Sequence, residues 1–358
     1  MRPETLFSLN MMIDLDKTSN KDKQLSRMPT ISYSQYILSC SGVKLMYIFT
    51  KWSILKKYLT NFPSTFILIL LVSCSKDLPK KIWNKGLTSQ VLNINNLKEK
   101  LNNQLEVQKD EGVHFSYYFQ DLNTLTGLKV NDKELFIAAS LSKLPLLSSI
   151  YLEIEGNPHI NLKTKITYSK EDTSKHVQSN ADLIQSLQDG IQYSLEELIR
   201  KMIVESDNHS TFLLSNFFGT KVVSRTYDLF SIKYMKKNKL IYLTPKEYSK
   251  ILRDLFFSHT NIKRNSQHIL SLLKKAEFKG GLKSIKKNKN IEVANKFGVR
   301  KNNDNDEKLY QLHDCGVIFY PGRPYILCIM TKGPVLKNLI KTIALLSNIT
   351  FRHIEDHH

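Results

Sequence analysis

The chain has 358 residues, 41% of them apolar and 24% charged, enough for one large domain or two modest ones with a real core. Its formal charge of +19 is spread along the sequence: nine Lys/Arg against four Asp/Glu put +5 into residues 1–73, and the other +14 lies downstream. Such a surface suits anionic partners, but no nucleic-acid-binding module is present, so a nucleic-acid partner is not expected. Four cysteines, Cys40, Cys74, Cys315 and Cys328, form no CxxC pair and no zinc-type spacing with histidine, so neither a metal site nor a disulfide scaffold is expected.

In chain order, Lys51, Lys56 and Lys57 precede an apolar run, Phe62 to Val72, that ends in Leu71-Val72-Ser73-Cys74. The run is short for a membrane-spanning helix but has the length of a signal-peptide core. Its end resembles a bacterial lipobox, which implies lipidation at Cys74 and a membrane-anchored, extracytoplasmic protein at the cell envelope. Signals stand at the N-terminus, so residues 1–45 read as a disordered or misassigned extension, 46–73 as the signal and 74–95 as a linker; the alternative is a polar cytoplasmic tail over 1–45 with the apolar run as a short signal anchor. Leu97, Leu101 and Leu105 recur as on an amphipathic helix. Val113 to Phe119 reads as a strand, with Leu128 to Val130 as its hairpin partner. Leu141 to Glu155 reads as a helix. Ser194-Leu195-Glu196-Glu197 has a capping-box pattern, and Thr244-Pro245-Lys246-Glu247 is a helix start with proline in the first turn. Ile291 to Ala294, Gly316 to Tyr320 and Tyr325 to Met330 read as strands, the last two joined through Pro321-Gly322-Arg323-Pro324. Pro334 to Leu346 reads as a closing helix. The expected fold is α+β: an antiparallel sheet flanked by helices, with a helical subdomain carrying the middle of the chain. If Tyr320 faces Tyr325, Cys315 and Cys328 are diagonal neighbours, poorly placed for a disulfide, and both read as buried thiols.

Ser140-Leu141-Ser142-Lys143 opens an apolar helix, and the spacing of three puts serine and lysine on one face. A serine alcohol needs a neighbouring base, and a buried lysine can become one. The SxxK pattern recurs at Ser41, Ser53, Ser73, Ser271 and Ser284, so it carries little by itself. At Ser140 it is followed by Ser206-Asp207-Asn208 and then by Lys296-Phe297-Gly298. In that order the three resemble the SxxK, SDN and KTG signature of class A β-lactamases and penicillin-binding proteins. Phe136 to Pro145, the approach from Gly190 through Leu198, and His313-Asp314-Cys315-Gly316 extend the likeness over about residues 96–350.

The resemblance implies a serine hydrolase working through an acyl-enzyme on an amide or ester, either a β-lactam or a peptidoglycan stem peptide. It implies Ser140 as nucleophile, Lys143 as its base, Ser206 as proton carrier to the leaving nitrogen, and Lys296 as positive charge for a substrate carboxylate. Asn208 would bind the substrate amide and hold Lys143. Gly298 and Val299 would line the substrate, with the Ser140 and Val299 N–H groups as oxyanion hole. It implies a monomer with no metal and no organic cofactor. Two departures matter. Phe297 replaces the family's Thr or Ser, whose hydroxyl helps bind a β-lactam carboxylate. Residues 209–243 hold one acid, Asp228, and no deacylating glutamate, so deacylation of a β-lactam is expected to be slow. A D-Ala-D-Ala peptidase of the penicillin-binding type and a non-catalytic lipoprotein that binds cell-wall peptide stay open as alternatives. His313 as a base, and His353 with His357 as a metal pair, are less favoured; the latter two are expected in a frayed tail.

Overall fold

A computed structural model describes residues 37–40, 43–46 and 91–358, except 172–186, 220, 221, 223, 224, 226, 229, 239, 259–262, 279, 289, 290, 303–308 and 358. Cys74 and the expected signal and linker lie outside the described residues. In the N-terminal unit, β1 (Ile37–Cys40) and β2 (Val43–Met46) form an antiparallel hairpin.

The larger unit opens with α1 (Asn95–Asp110), then β3 (His114–Asp121), β4 (Gly127–Val130) and the short β5 (Phe136–Ile137). Next come α2 (Lys143–Gly156), β6 (Lys165–Thr167), β7 (Gln192–Ser194), α3 (Leu195–Arg200) and α4 (Asn208–Phe218). β8 (Met235–Lys237), β9 (Leu240–Leu243), α5 (Pro245–Phe257) and α6 (Lys263–Lys274) complete the helical middle. The chain closes with β10 (Glu292–Asn302), β11 (Leu309–Phe319), β12 (Tyr325–Gly333) and α7 (Leu336–Asp356). The five-stranded sheet has the order β10-β11-β12-β3-β4, each neighbouring pair antiparallel. This is the α+β architecture expected: a sheet with the terminal helices on one side and the helical middle on the other.

Two apolar layers follow from strand alternation. One face of the sheet sends Tyr117, Phe119, Leu327 and Ile329 toward Leu97 and Leu101 of α1 and Leu339, Ile343 and Leu346 of α7. Tyr117 Oη and Thr350 Oγ1 of α7 share a buried hydrogen bond of 2.8 Å. The other face sends Ala294, Cys315, Val317, Ile326, Cys328 and Met330 toward the helical middle. There α2 is buried from Lys143 to Tyr151. Its sequence is apolar on every side because helices surround it. The two helix starts form as expected. Ser194 and Glu197 make a reciprocal capping box, and Thr244 caps α5 by accepting from the Glu247 N–H.

The structure corrects four expectations. The β11–β12 register pairs Ile318 with Tyr325, two residues away from the register expected. Tyr320 leaves the ladder to pack its ring against Phe351 of α7, and its carbonyl accepts from the Arg323 N–H, which widens the turn. That shift sets Cys315 directly opposite Cys328, and the two buried sulfurs form a disulfide rather than separate thiols. The strand expected from Ile291, with Lys296-Phe297-Gly298 at its end, continues to Asn302, so the triplet lies in its interior. Finally, α7 runs on to Asp356, so His353 belongs to a helix. Its ring is buried and Nε2 lies 2.9 Å from the Asn93 carbonyl, which is a packing contact and not a frayed end.

Candidate active site

The segment before Ser140 is clamped from two directions. Phe136 and Ile137 pair with Leu243 and Tyr242 of β9, and the Ala138 N–H reaches the Ile241 carbonyl. The Ile137 N–H donates to Gln311 Oε1 at 3.0 Å, and His313 Nε2 donates to the Ile137 carbonyl at 2.9 Å. The other ring nitrogen of His313 accepts from the Thr331 N–H at 3.3 Å. That pattern assigns His313 to the neutral Nε2–H tautomer. Burial agrees, pushing its pKa down to about 4. His313 is therefore a clamp on the serine segment.

The chain then turns sharply at Ala139, whose φ is +46°, into a 3-10 turn, Ala139–Ser142, that runs into α2. A non-glycine residue at positive φ stores backbone strain of about 1–3 kcal/mol. Here it lies next to Ser140. Lys143 is the first residue of α2, one turn beyond Ser140.

Ser206-Asp207-Asn208 joins two helical pieces. A π-turn, Lys201–Glu205, ends at Ser206 in the left-handed conformation, with φ +59°. Asp207 then caps α4 by accepting from the Ser210 N–H at 2.6 Å. This brings Asn208 round to Lys143. The Lys143 Nζ lies 2.8 Å from Asn208 Oδ1, 2.5 Å from the Ser206 carbonyl and 3.2 Å from Ser206 Oγ. From the sheet, Lys296 Nζ reaches the same Ser206 Oγ at 2.9 Å and the Phe297 carbonyl at 2.9 Å. Gly298 comes closest to Ser140: a β-carbon there would stand 3.0 Å from the Ser140 nitrogen and 3.1 Å from the Leu141 nitrogen. Only glycine lets β10 lie this near the serine backbone. Val299, the next residue, is 42% exposed and stands at the open side of the site.

Both lysines are buried. Burial pushes Lys143 down to about 7, and the neighbouring Asp207 carboxylate opposes that shift. Lys296 is held well below the usual lysine range, first by burial and then by the charge on Lys143, with Asp314 opposing. Two ammonium groups sharing one hydroxyl in a low dielectric disfavour double protonation. Near neutral pH the pair gives up a proton readily. An amine so formed can accept from Ser206 Oγ, while the other lysine donates to it. The arrangement can therefore pass a proton between two amines through one hydroxyl.

Six of the residues singled out in the sequence thus meet here: Ser140, Lys143, Ser206, Asn208, Lys296 and Gly298. Val299 borders them. Sequence reasoning missed three contributors: Asp207 as cap and counter-charge, His313 as clamp, and Phe278, whose ring stacks on Phe297 with centroids 4.8 Å apart. Asp207 was legible from its place in a Ser-Asp-Asn turn before a helix. Phe278 comes from a loop and carries no sequence signal.

A serine one turn before a buried lysine, with that lysine sharing the Ser206 hydroxyl with a second buried lysine and meeting an Asn carboxamide on an α+β fold, has the pattern of an SxxK-type serine site. The model of the Beta-lactamase enzyme family matches residues 96–354, and the chain belongs to that family. Solved structures share the fold. A class A beta-lactamase from Mycobacterium abscessus is 20% identical with a TM-score of 0.59, covering 72% of this chain and 99% of that one. PBP-A is 18% identical with a TM-score of 0.62, covering 75% and 99%. A beta-lactamase from Sphaerobacter thermophilus is 17% identical with a TM-score of 0.60, covering 71% and 96%. No curated protein matches the sequence.

Proposed function

We propose that the protein is a serine hydrolase of the cell envelope that acylates Ser140 with an amide or ester, and that its β-lactam acyl-enzyme turns over slowly. The observation that carries this reading is the Ser206 hydroxyl held by two buried lysines, beside a serine whose backbone lies against Gly298. The Ser140 Oγ attacks the carbonyl carbon, and its proton passes to the free amine of Lys143. The C–N or C–O bond then breaks, and Ser206 hands a proton to the leaving atom. The Ser140 and Val299 N–H groups bind the developing oxyanion, Asn208 orients the substrate amide, and water releases the acyl group. Lipidation at Cys74 anchors a monomer outside the cytoplasm, and the catalytic domain spans about residues 96–350. No metal or organic cofactor takes part. Among the described residues no helix is long and apolar enough to cross a membrane.

Slow deacylation is inferred from residues 209–243, which offer no glutamate to activate water. A mutant of PBP-A is solved as an acyl-enzyme with penicillin G, which supports the same step on this fold. The missing glutamate also favours a second reading, a penicillin-binding-type peptidase acting on peptidoglycan stem peptides. The test is intact mass after incubation with a penicillin, beside a Ser140→Ala control. An adduct on the wild type alone supports the proposal, and its lifetime reports deacylation. An adduct of equal size on Ser140→Ala removes Ser140 as nucleophile.

A further inference from the structure

The residue that follows Lys296 in β10 is aromatic, and although strand alternation sets it on the α7 side, its ring reaches back over the lysine amine at the edge of the sheet. The Phe297 ring centroid stands 4.5 Å from Lys296 Nζ, while the ring of Phe278 stacks on Phe297 at an interplanar angle of 26°. Both rings are partly exposed. Neither is free to swing away. Phe278 sits against Gly280 and Gly281, where added β-carbons would lie 3.0 Å from its ring atoms, and it packs on the sheet core. The Glu277 N–H reaches the Val204 carbonyl, tying this loop to the segment that carries Ser206. Lys296 spends two donors on Ser206 Oγ and the Phe297 carbonyl. That leaves one of its three donors, and the ring of Phe297 stands against the same amine at 4.5 Å.

We infer that Phe297 and Phe278 are specificity-determining residues that select substrates with an uncharged, apolar group, rather than a carboxylate, next to the scissile bond. A carboxylate desolvated against two rings loses hydrogen bonds that water gave it, with little in return. An ester or aromatic group gains apolar burial and ring contact. The quadrupole of the Phe297 face also satisfies residual positive charge on Lys296 without a substrate anion. This inference rests on Ser140 acting as the nucleophile.

The test uses the full-length protein and one scissile bond with and without one charge: penicillin G and its methyl ester. In each, a bond forms between Ser140 Oγ and the lactam carbon, the C–N bond breaks, and the serine proton ends on the nitrogen. Acylation rates are read by intact mass and corrected for the alkaline reactivity of each compound. The ester is expected to acylate about tenfold faster or more, the size of one charge-assisted hydrogen bond forgone. Phe297→Thr should shrink that ratio toward one or invert it, and Phe278→Leu should reduce it by a smaller factor. The wild-type ratio decides even if a variant fails to fold. A small neutral fluorophosphonate separates the two levels of the reading. If it does not label Ser140, the nucleophile and this inference fall together. If it labels Ser140 and the ester is no faster than the acid, the selectivity alone is overturned.

Discussion

Strands β10 and β11 present two faces made of residues adjacent in sequence, and the faces use buried polar groups in opposite ways. Lys296 and His313 point toward the helical middle; Asn295 and Asp314 point toward α7. Asp314 is fully paired: it accepts from Asn295 Nδ2 at 2.7 Å and from the Leu282 N–H at 2.9 Å. It holds the turn that follows α6 against the sheet. Lys296 instead shares a hydroxyl with a second buried lysine. One face ties a single buried carboxyl to neutral donors and gains rigidity. The other brings two like charges together and gains a labile proton. Burial is common to both groups; what shares their hydrogen bonds separates them.

The strongest way to break this comparison is a crossed pair of substitutions. Lys296→Met should lower the Ser140 acylation rate by about 10²–10³-fold, as losing a positioned charge in a dry site does. It should leave the melting temperature unchanged or raised, since a costly buried amine is replaced by an apolar chain of similar size. Asp314→Ala should do the reverse. It strands the Leu282 N–H and the Asn295 amide, costing about 3 kcal/mol in urea unfolding. Acylation per folded molecule should change by about threefold at most, within the range of a remote packing change. If Asp314→Ala proves as damaging to acylation as Lys296→Met, the division between the faces is wrong.

The pH dependences sharpen the same contrast. With the free amine of Lys143 as the proposed base, kcat/KM should rise with pH through a midpoint near 7, the value to which burial lowers that group. Asp314 is raised from 3.8 to about 7 by burial. Its native state therefore holds a proton that the unfolded chain releases. The stability this gives is full below 3.8 and is lost as pH rises toward 7. His313, lowered to about 4, acts oppositely: the unfolded chain takes up a proton below 6.5 and stability falls as pH drops toward 4. Asp314→Asn should abolish the first slope and leave the opposing His313 slope uncompensated, seen as a urea midpoint that rises with pH between about 4 and 6.5 more steeply than in the wild type, while leaving the kcat/KM midpoint in place.

The site face was far more legible in the sequence than the structural one. Ser140, Lys143, Ser206, Asn208 and Lys296 stand in three short motifs whose order carries information, and chemistry restricts their identities. The α+β order and both helix caps were legible for a similar reason: periodicity and capping are local. The register of β11 and β12 was not, because it depends on Tyr320 finding Phe351 in a helix some thirty residues later. The Cys315–Cys328 disulfide was lost with it. The extent of β10 was hidden because Lys296, Gly298 and Arg300 break an apolar alternation that only the finished fold explains. Phe278 was hidden because its role depends on packing between loops.

Backbone conformation marks the difference between the faces at the finest scale. Beside Asp314 the left-handed residue is Gly281, with φ +57°, and a β-carbon there would lie 2.5 Å from Asp314 Oδ2. Beside Ser140 it is Ala139, a residue that is strained in this conformation. Ala139→Gly relieves that strain by roughly 1 kcal/mol but frees the unfolded chain by a similar amount, so stability should move by less than about 0.5 kcal/mol. Acylation should nevertheless slow by about two- to fivefold, because the turn that aims Ser140 loses its stiffness. A drop of more than about 2 kcal/mol would mean the methyl group is packed rather than tolerated. Unchanged acylation would mean that Ser140 is aimed by its clamps, Gln311 and His313, and that strain at Ala139 contributes nothing to the reaction.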